Sequence, residues 1–562
     1  MFILRPSIYV MQKLIAILLV LTSLQVSAQT LKSENDQPKL VVGIVVDQMR
    51  QEYLYRFHSK YGEGGFKRLM NEGFMLKNAH YNYAPTVTGP GHASVYTGTT
   101  PAFHGIIAND FYHKRLSKIV NCVEDPLQKP VGSELGNGDV SPWRMLSSTI
   151  TDELKLFTQK RSKVIGVSIK DRGAVLPAGH MADAAYWFDS GTGKFITSTY
   201  YMAKLPDWVV KFNDQNLANK YLSQTWNTLL PIEQYTESGP DDSPYEIKLG
   251  GKLKPTFPYV LSEMRLKYRG FDLITTTPFG NNLLTEMAMA TVTGEQMGKD
   301  YITDFLCVSY SSTDILGHAV GPNAVEIEDM YLRLDKSLEE FLKKLDQQVG
   351  AGNYTVFLTA DHAVADVPQY LKDSKIPAGY FSDAFLKAKL TEYLLTYYPN
   401  KTLISDINNY QIFLNQDAFQ HDAKATGVDM FIATELIGKF LMSMEGISNY
   451  YTEASLRQGS YDEKSERGDV IRGYNAQRSG DIVYTLQPGW YESGSVTGTT
   501  HGSTYKYDTH VPILFYGKGI KKGSTSQYHA ITDIAPTLSI LLNIKFPSGC
   551  TGQPISEIVD NN

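Results

Sequence analysis

Three carboxylates and three imidazoles follow apolar runs or sit in a small-residue loop of this chain: Asp47, Asp314 with His318, Asp361 with His362, and His501. Open α/β sheets place their sites at the carboxyl ends of buried strands, which is where Asp47, Asp314 and Asp361 fall. Asp314 and His318 are four residues apart, so a helical turn would aim both at one ion. Burying the adjacent pair Asp361-His362 without a partner is expensive, and a divalent cation is the simplest partner. Six such ligands suffice for two ions with three protein ligands each. Mixed His/Asp ligation favours zinc over metals that prefer thiolates, and three ligands per ion leave open positions, the catalytic pattern. Two ions about 4 Å apart can stabilise both the attacking and the leaving oxygen of an in-line displacement. On position alone, Asp47 reads equally well as a cap for the helix-patterned segment 51–72.

A hydroxyl for those ions to activate stands in Pro85-Thr-Val-Thr-Gly-Pro-Gly-His92. Thr88 lies in a Gly/Pro turn that breaks into a run of small residues. This geometry lifts its hydroxyl out at a helix N-terminus, where free amides suit an anion. A threonine hydroxyl is a poor nucleophile until a base or metal activates it, and taken alone Thr88 also fits a helix N-cap. Further on, Lys170-Asp171-Arg172 follows an apolar run at 163–168. The two cations could grip phosphate oxygens, the arginine as a bidentate fork, or form a solvated charged turn.

The elements that must position these groups are legible as β-branched runs at 40–46, 163–168, 304–309, 354–359, 480–486 and 511–516. Continuous apolar runs of this kind suit strands buried on both faces, so the chain predicts an α/β fold with a mostly parallel central sheet flanked by helices. Helical patterns fall at 51–72, 143–159, 285–292, 325–345 and 531–542; the fourth is amphipathic, with Ile327, Met330, Leu334, Leu338, Phe341 and Leu345 on one face. The stretches near 111–142, 180–297 and 368–480 read as insertions. The last, with helical patterns at 385–398 and 430–444 and a strand at 410–414, reads as a cap subdomain.

The chain has 562 residues, 42% hydrophobic and 20% charged, with a net charge of −6 and no basic run, which argues against nucleic acid as a partner. Three cysteines, Cys122, Cys307 and Cys550, make neither a disulfide framework nor a thiolate metal site. At the N-terminus Met11-Gln-Lys precedes an apolar run from Leu14 to Leu24 and then Val26-Ser27-Ala28. This reads as a cleavable secretory signal over 1–28, followed by a polar linker over 29–38 and a catalytic domain over 39–557. The apolar run is short for a membrane span. No stable span is therefore expected after signal removal, and the mature chain is expected in the periplasm or medium.

These residues also carry a family resemblance. Val46-Asp47, the Pro85–His92 turn, His104-Gly-Ile-Ile-Ala-Asn109, Asp314-Ile-Leu-Gly-His318, Thr359-Ala-Asp-His362, Thr500-His-Gly-Ser503 and Tyr507–Leu514 together resemble the alkaline phosphatase superfamily. Within it, the chain is similar to the phosphate-irrepressible, threonine-nucleophile zinc phosphomonoesterases. The resemblance implies two Zn²⁺, one held by Asp47, Asp361 and His362 beside the nucleophile, the other by Asp314, His318 and His501. It implies that Thr88 becomes transiently phosphorylated and that Asn109, Lys170 and Arg172 clamp the phosphoryl oxygens of small phosphate monoesters. The Lys170/Arg172 pair matches the monoesterase branch, because extra cations favour a dianion. The alternative is a phosphodiesterase or nucleotide pyrophosphatase of the same superfamily. A sulfatase would need a cysteine in a C-x-P/A-x-R context, which none of the three cysteines offers.

Overall fold

The computed structural model describes residues 37–134, 138–415, 417–418, 429–457 and 464–558. The signal reading at 1–28 and residues 29–36 of the linker lie outside the described residues. The main sheet has ten strands: β1 Leu40–Val46, β2 Phe74–His80, β3 Pro130–Val131, β4 Val164–Ser168, β5 Ala184–Asp189, β6 Lys194–Ser198, β7 Asp304–Tyr310, β8 Tyr354–Thr359, β9 His510–Gly517 and β10 Gly523–Ala530. Their spatial order is β10-β2-β9-β8-β1-β7-β4-β5-β6-β3.

The five middle strands, β8-β1-β7-β4-β5, are parallel, and antiparallel pairing begins on either side, with β9 against β8 and β6 against β5. The sheet is thus mixed, with the parallel part where the sequence placed it. Every residue of β1, β4, β7 and β8 is buried, as expected of strands covered on both faces.

Register decides the site. Val46 lies beside Tyr310, Val45 beside Thr359, and Ser309 beside Ser168. The carboxyl ends of four parallel strands are therefore level, and the residues that follow them, Asp47, Asp314, Asp361-His362 and Lys170–Arg172, emerge along one edge.

Three short or medium helices complete that edge. These are α1 Thr88–Thr97, α2 Asp171–Ala178 and α4 Ser312–Val320; behind them α3 Pro278–Gly294 packs on the long amphipathic α5 Val325–Leu345, and α6 Ile534–Leu542 closes the chain. Helix α1 is buried throughout. Its small residues allow this: a Cβ added to Gly91 would stand 2.2 Å from the Asp361 carbonyl oxygen, so only glycine lets the helix approach the end of β8.

Some elements differ from the sequence reading. The helix expected over 51–72 is broken into Tyr53–Arg56, a 3-10 turn and Phe66–Glu72, because Gly62, Gly64 and Gly65 interrupt it. The helix expected over 143–159 begins only at Ile150, where Thr149 and Asp152 form a capping box. The stretch beginning at 180 supplies β5 and β6 to the main sheet, and the stretch 111–142 supplies its edge strand β3. Strand Ile482–Leu486 joins Ile404–Asn408, Gln411–Leu414 and Ile447–Thr452 in a separate four-stranded sheet instead of the main one. With helices Asp383–Tyr397 and Met430–Leu441 that sheet encloses its own core, including Leu386, Leu390, Ile412, Ile437 and Ile482.

Candidate active site

Among the described residues, two groups bring three potential metal-ligand atoms within 4.8 Å of one another: Asp47 with Asp361 and His362, and Asp314 with His362 and His501. The first is the set the sequence reading assigned beside Thr88. In the second, His362 takes the place given to His318, which stands at the rim with Nε2 3.1 Å from Asp314 Oδ1. The two groups share His362, whose ring stacks on His501 at 3.5 Å between centroids.

Hydrogen bonding has prepared the three imidazoles. Nδ1 of His318, His362 and His501 lies 2.8, 2.9 and 2.7 Å from the carbonyl oxygens of Thr499, Ala363 and Thr86. A carbonyl only accepts, so each Nδ1 carries a proton and each Nε2 is turned toward the carboxylates, the arrangement of metal-binding histidines; despite burial, Asp314 holds His318 above its usual pKa. Burial keeps His501 below its usual pKa; burial, with His501 adjacent, pushes His362 down to about 3.

The carboxylates are over-concentrated. Burial and the charges of Asp314 and Asp361 push Asp47 well above the usual carboxylate range. Burial also opposes ionisation of Asp314, but His318 and Lys170 outweigh it and hold that group well below the range. The Lys170 ammonium donates to Asp47 Oδ2 at 2.7 Å and to Asp314 Oδ2 at 2.6 Å, and stands 3.4 Å from Thr88 Oγ1. Lys170 does not exhaust the demand for positive charge. Asp47 Oδ1, Asp361 Oδ2 and His362 Nε2 are all buried without a hydrogen-bond partner. Three orphaned ligand atoms of one cluster, in an Asp/Asp/His set, fit a divalent ion such as zinc.

Thr88 is the first residue of α1 and only 1% exposed. The next backbone amide, Gly89 N–H, donates to Asn109 Oδ1 at 2.6 Å, which fixes the orientation of the asparagine amide. Arg172 Nε is buried and unpartnered, and despite burial Asp171 helps hold the guanidinium above its ordinary pKa. Lys170 thus meets Asp47, Asp314 and Thr88, Asn109 meets the amide that follows Thr88, and Arg172 is within reach of the charges of Asp47 and Asp314.

Two neighbours were not assigned a role from the sequence. Gln48 donates its side-chain amide to Asp314 Oδ1 at 2.7 Å and its backbone N–H to Asp361 Oδ1 at 3.2 Å, tying the two ligand groups together. It does so from a left-handed backbone, φ 66°, that no residue-type signal announces. His92 has Nδ1 2.9 Å from the Thr88 carbonyl and 3.3 Å from Asp361 Oδ2, and Nε2 2.8 Å from Ser309 Oγ. His180 belongs elsewhere, between Asp152 and the Met145 carbonyl.

Known proteins are similar to this chain. Residues 41–510 match the family model of type I phosphodiesterase / nucleotide pyrophosphatase. The chain is 46% identical to alkaline phosphatase PafA of Elizabethkingia meningoseptica, covering 93% of this chain and 95% of that one. It is 45% identical to alkaline phosphatase PhoV of Synechococcus elongatus, covering 93% of each. The crystal structure of wild-type PafA superposes with a TM-score of 0.89 over 93% of this chain and 99% of that one. The chain belongs to the type I phosphodiesterase / nucleotide pyrophosphatase family of the alkaline phosphatase superfamily, in the group that contains PafA and PhoV.

Proposed function

We propose that this chain is an exported, zinc-dependent phosphate monoester hydrolase, an alkaline phosphatase, that works through a phosphothreonine at Thr88. The observation that carries the reading is the set of buried, unpartnered atoms Asp47 Oδ1, Asp361 Oδ2 and His362 Nε2, in a cluster that Lys170 links to the Thr88 hydroxyl. The names of PafA and PhoV support the same activity. Asp47, Asp361 and His362 would hold one Zn²⁺, and Asp314, His318 and His501 the other. When bound, two such ions supply Lewis-acid charge that eases deprotonation of an alcohol and stabilises a leaving oxygen.

The chain's own residues do the rest. Thr88 is held at the start of α1 with its hydroxyl facing Lys170. Asn109, Lys170 and Arg172 bind and orient the phosphoryl oxygens. Gln48 and the three backbone carbonyls behind the imidazoles keep the ligand atoms aimed. Phosphoryl transfer passes through a loose transition state, so positioning and charge carry most of the acceleration. Among the described residues no helix is long and apolar enough to cross a membrane, and the leader-like N-terminus supports the periplasm or medium as the destination. The domain limits of 39–557, with a cap drawn mainly from 368–480, are part of this reading.

A second reading, phosphodiesterase or nucleotide pyrophosphatase, is favoured by the name of the matching family. The two are separated by rates on aryl phosphate monoesters and diesters, measured together with metal content. A preference of at least about 10²-fold for the monoester is expected from the clamp of Lys170 and Arg172. A diester preference would overturn the proposal. Thr88→Ala should lose at least about 10³-fold in turnover while retaining metal; unchanged turnover would remove the phosphothreonine.

A further inference from the structure

Beside the loop that carries His501 lies a pocket lined by Ala365, His501 and Gly502 together with aromatic residues of the cap, among them Tyr410, Tyr484 and Trp490. The phosphoryl chemistry uses none of these rings. The hairpin between Ile404–Asn408 and Gln411–Leu414 pairs Asn408 with Gln411, so Asn409-Tyr410 is its two-residue turn. Both residues are left-handed, at φ 53° and 60°. A turn of this kind favours Asn-Gly, and a bulky aromatic in the second position is strained. Strain of this sort persists where surrounding contacts hold it, and it concentrates at functional sites.

The contacts of this turn span the site. Asn409 Nδ2 donates to the carbonyl of Asp110, the residue after the clamp residue Asn109, at 2.7 Å. The Tyr410 ring lies over Gly502, the residue after His501: a Cβ placed there would be 3.3 Å from ring atom Cε2. Tyr484 meets Tyr410 edge-on with centroids 5.9 Å apart. A two-residue turn of the cap thus bridges the phosphate side and the His501 side.

We propose that Tyr410 is a specificity-determining residue, and that the pocket it borders receives the alcohol portion of esters whose alcohol is aromatic. The inference rests on the monoesterase reading, in which the Asp314–His318–His501 side faces the leaving oxygen. An ester alcohol departing past His501 would meet this aromatic wall. A polyol there would lose hydrogen bonds to water, whereas a flat apolar ring gains stacking and edge contacts.

The test measures binding of phenylphosphonate and methylphosphonate to the zinc-loaded full chain by calorimetry, alongside kcat/KM for phenyl phosphate and methyl phosphate. In the unsubstituted protein phenylphosphonate should bind more tightly. Tyr410→Ala should weaken phenylphosphonate and lower kcat/KM for phenyl phosphate by about tenfold, with the methyl compounds changed less than about twofold. Tyr410→Phe should stay near the parent. If Tyr410→Ala fails to fold, Tyr410→Leu keeps apolar bulk without a flat face and should show the same selective loss. Equal losses for both ligands, no loss for either, or no aryl preference in the parent would overturn the proposal. Absence of turnover on both esters with the aryl binding preference intact would overturn the monoesterase reading and leave the pocket assignment standing.

Discussion

Gln48 shows how much of a candidate metal site lies outside the potential ligands themselves. Its two donors reach Asp314 and Asp361, one from each ligand group, and its side chain is fully enclosed: a Cβ on Gly317 of α4 would lie 1.9 Å from Gln48 Oε1. Groups that orient ligands typically account for 10- to 100-fold in metal affinity. Gln48→Ala should therefore weaken zinc binding by about 10- to 100-fold in competition with a chelator, and lower activity at limiting zinc more than at saturating zinc. An unchanged affinity would mean that the carboxylates hold their positions without it. This residue was illegible in the sequence because glutamine is common and its role depends on an αL backbone. Asp361-His362, in contrast, announced itself as a costly pair at the end of an apolar run.

Among the elements, α1 and α5 carry opposite lessons. Helix α1 holds Thr88 against β8 through Gly91, with no room for a methyl group before the Asp361 carbonyl. Gly91→Ala should displace the helix by a fraction of its width and cost about 10²-fold in kcat/KM with the fold retained, as small misplacements of reacting groups do; circular dichroism and steady-state rates together check this. The long helix α5 was plain from its apolar periodicity, yet periodicity hid an acid on its buried face. Glu326 is fully buried with Oε2 unpartnered, and Glu246 beside it is in the same state. Burial pushes Glu326 up to about 8, and burial with the Glu326 charge pushes Glu246 up to about 10. Both folded-state values lie above those of the unfolded chain, so the folded protein keeps protons that the unfolded chain has released. Stability contributed by the protonated pair is thus present below about pH 4.5 and is lost as pH rises through about 8 to 10. The double variant Glu246→Gln, Glu326→Gln should gain on the parent as pH rises from 5 to 9, by roughly 2–4 °C in melting temperature. A constant difference across that range would show that the pair does not titrate there.

For the whole molecule, the parallel centre of the sheet was readable because its strands are uninterrupted β-branched runs, whereas β5 escaped notice because Ala184–Asp189 is aromatic and ends in a carboxylate. The cap's reach to the site was also hidden: Tyr410 occupies a turn position where glycine would have signalled a hairpin. What sequence and structure agree on is a charge imbalance at the centre of the fold, with Asp47, Asp314 and Asp361 all buried and one lysine between the first two. Like charges at close range favour one remaining protonated, which is the direction Asp47 takes. A ligand that binds only the folded state at 100 to 1,000 times its Kd adds about 2.7 to 4.1 kcal/mol. Chelation should therefore abolish activity and lower the melting temperature by roughly 3–5 °C, with zinc restoring both. Asp47→Asn should separate charge relief from simple damage. With metal bound, the variant loses a ligand and should melt below the parent. After chelation the parent must either bury a third negative charge or keep a proton on Asp47, a demand the neutral amide does not make, so the variant should melt at or above the chelated parent despite losing part of its contact with Lys170. If the variant is destabilised equally in both conditions, or if chelation leaves the parent's melting temperature unchanged, the carboxylates are not waiting on cations and the bimetal reading fails.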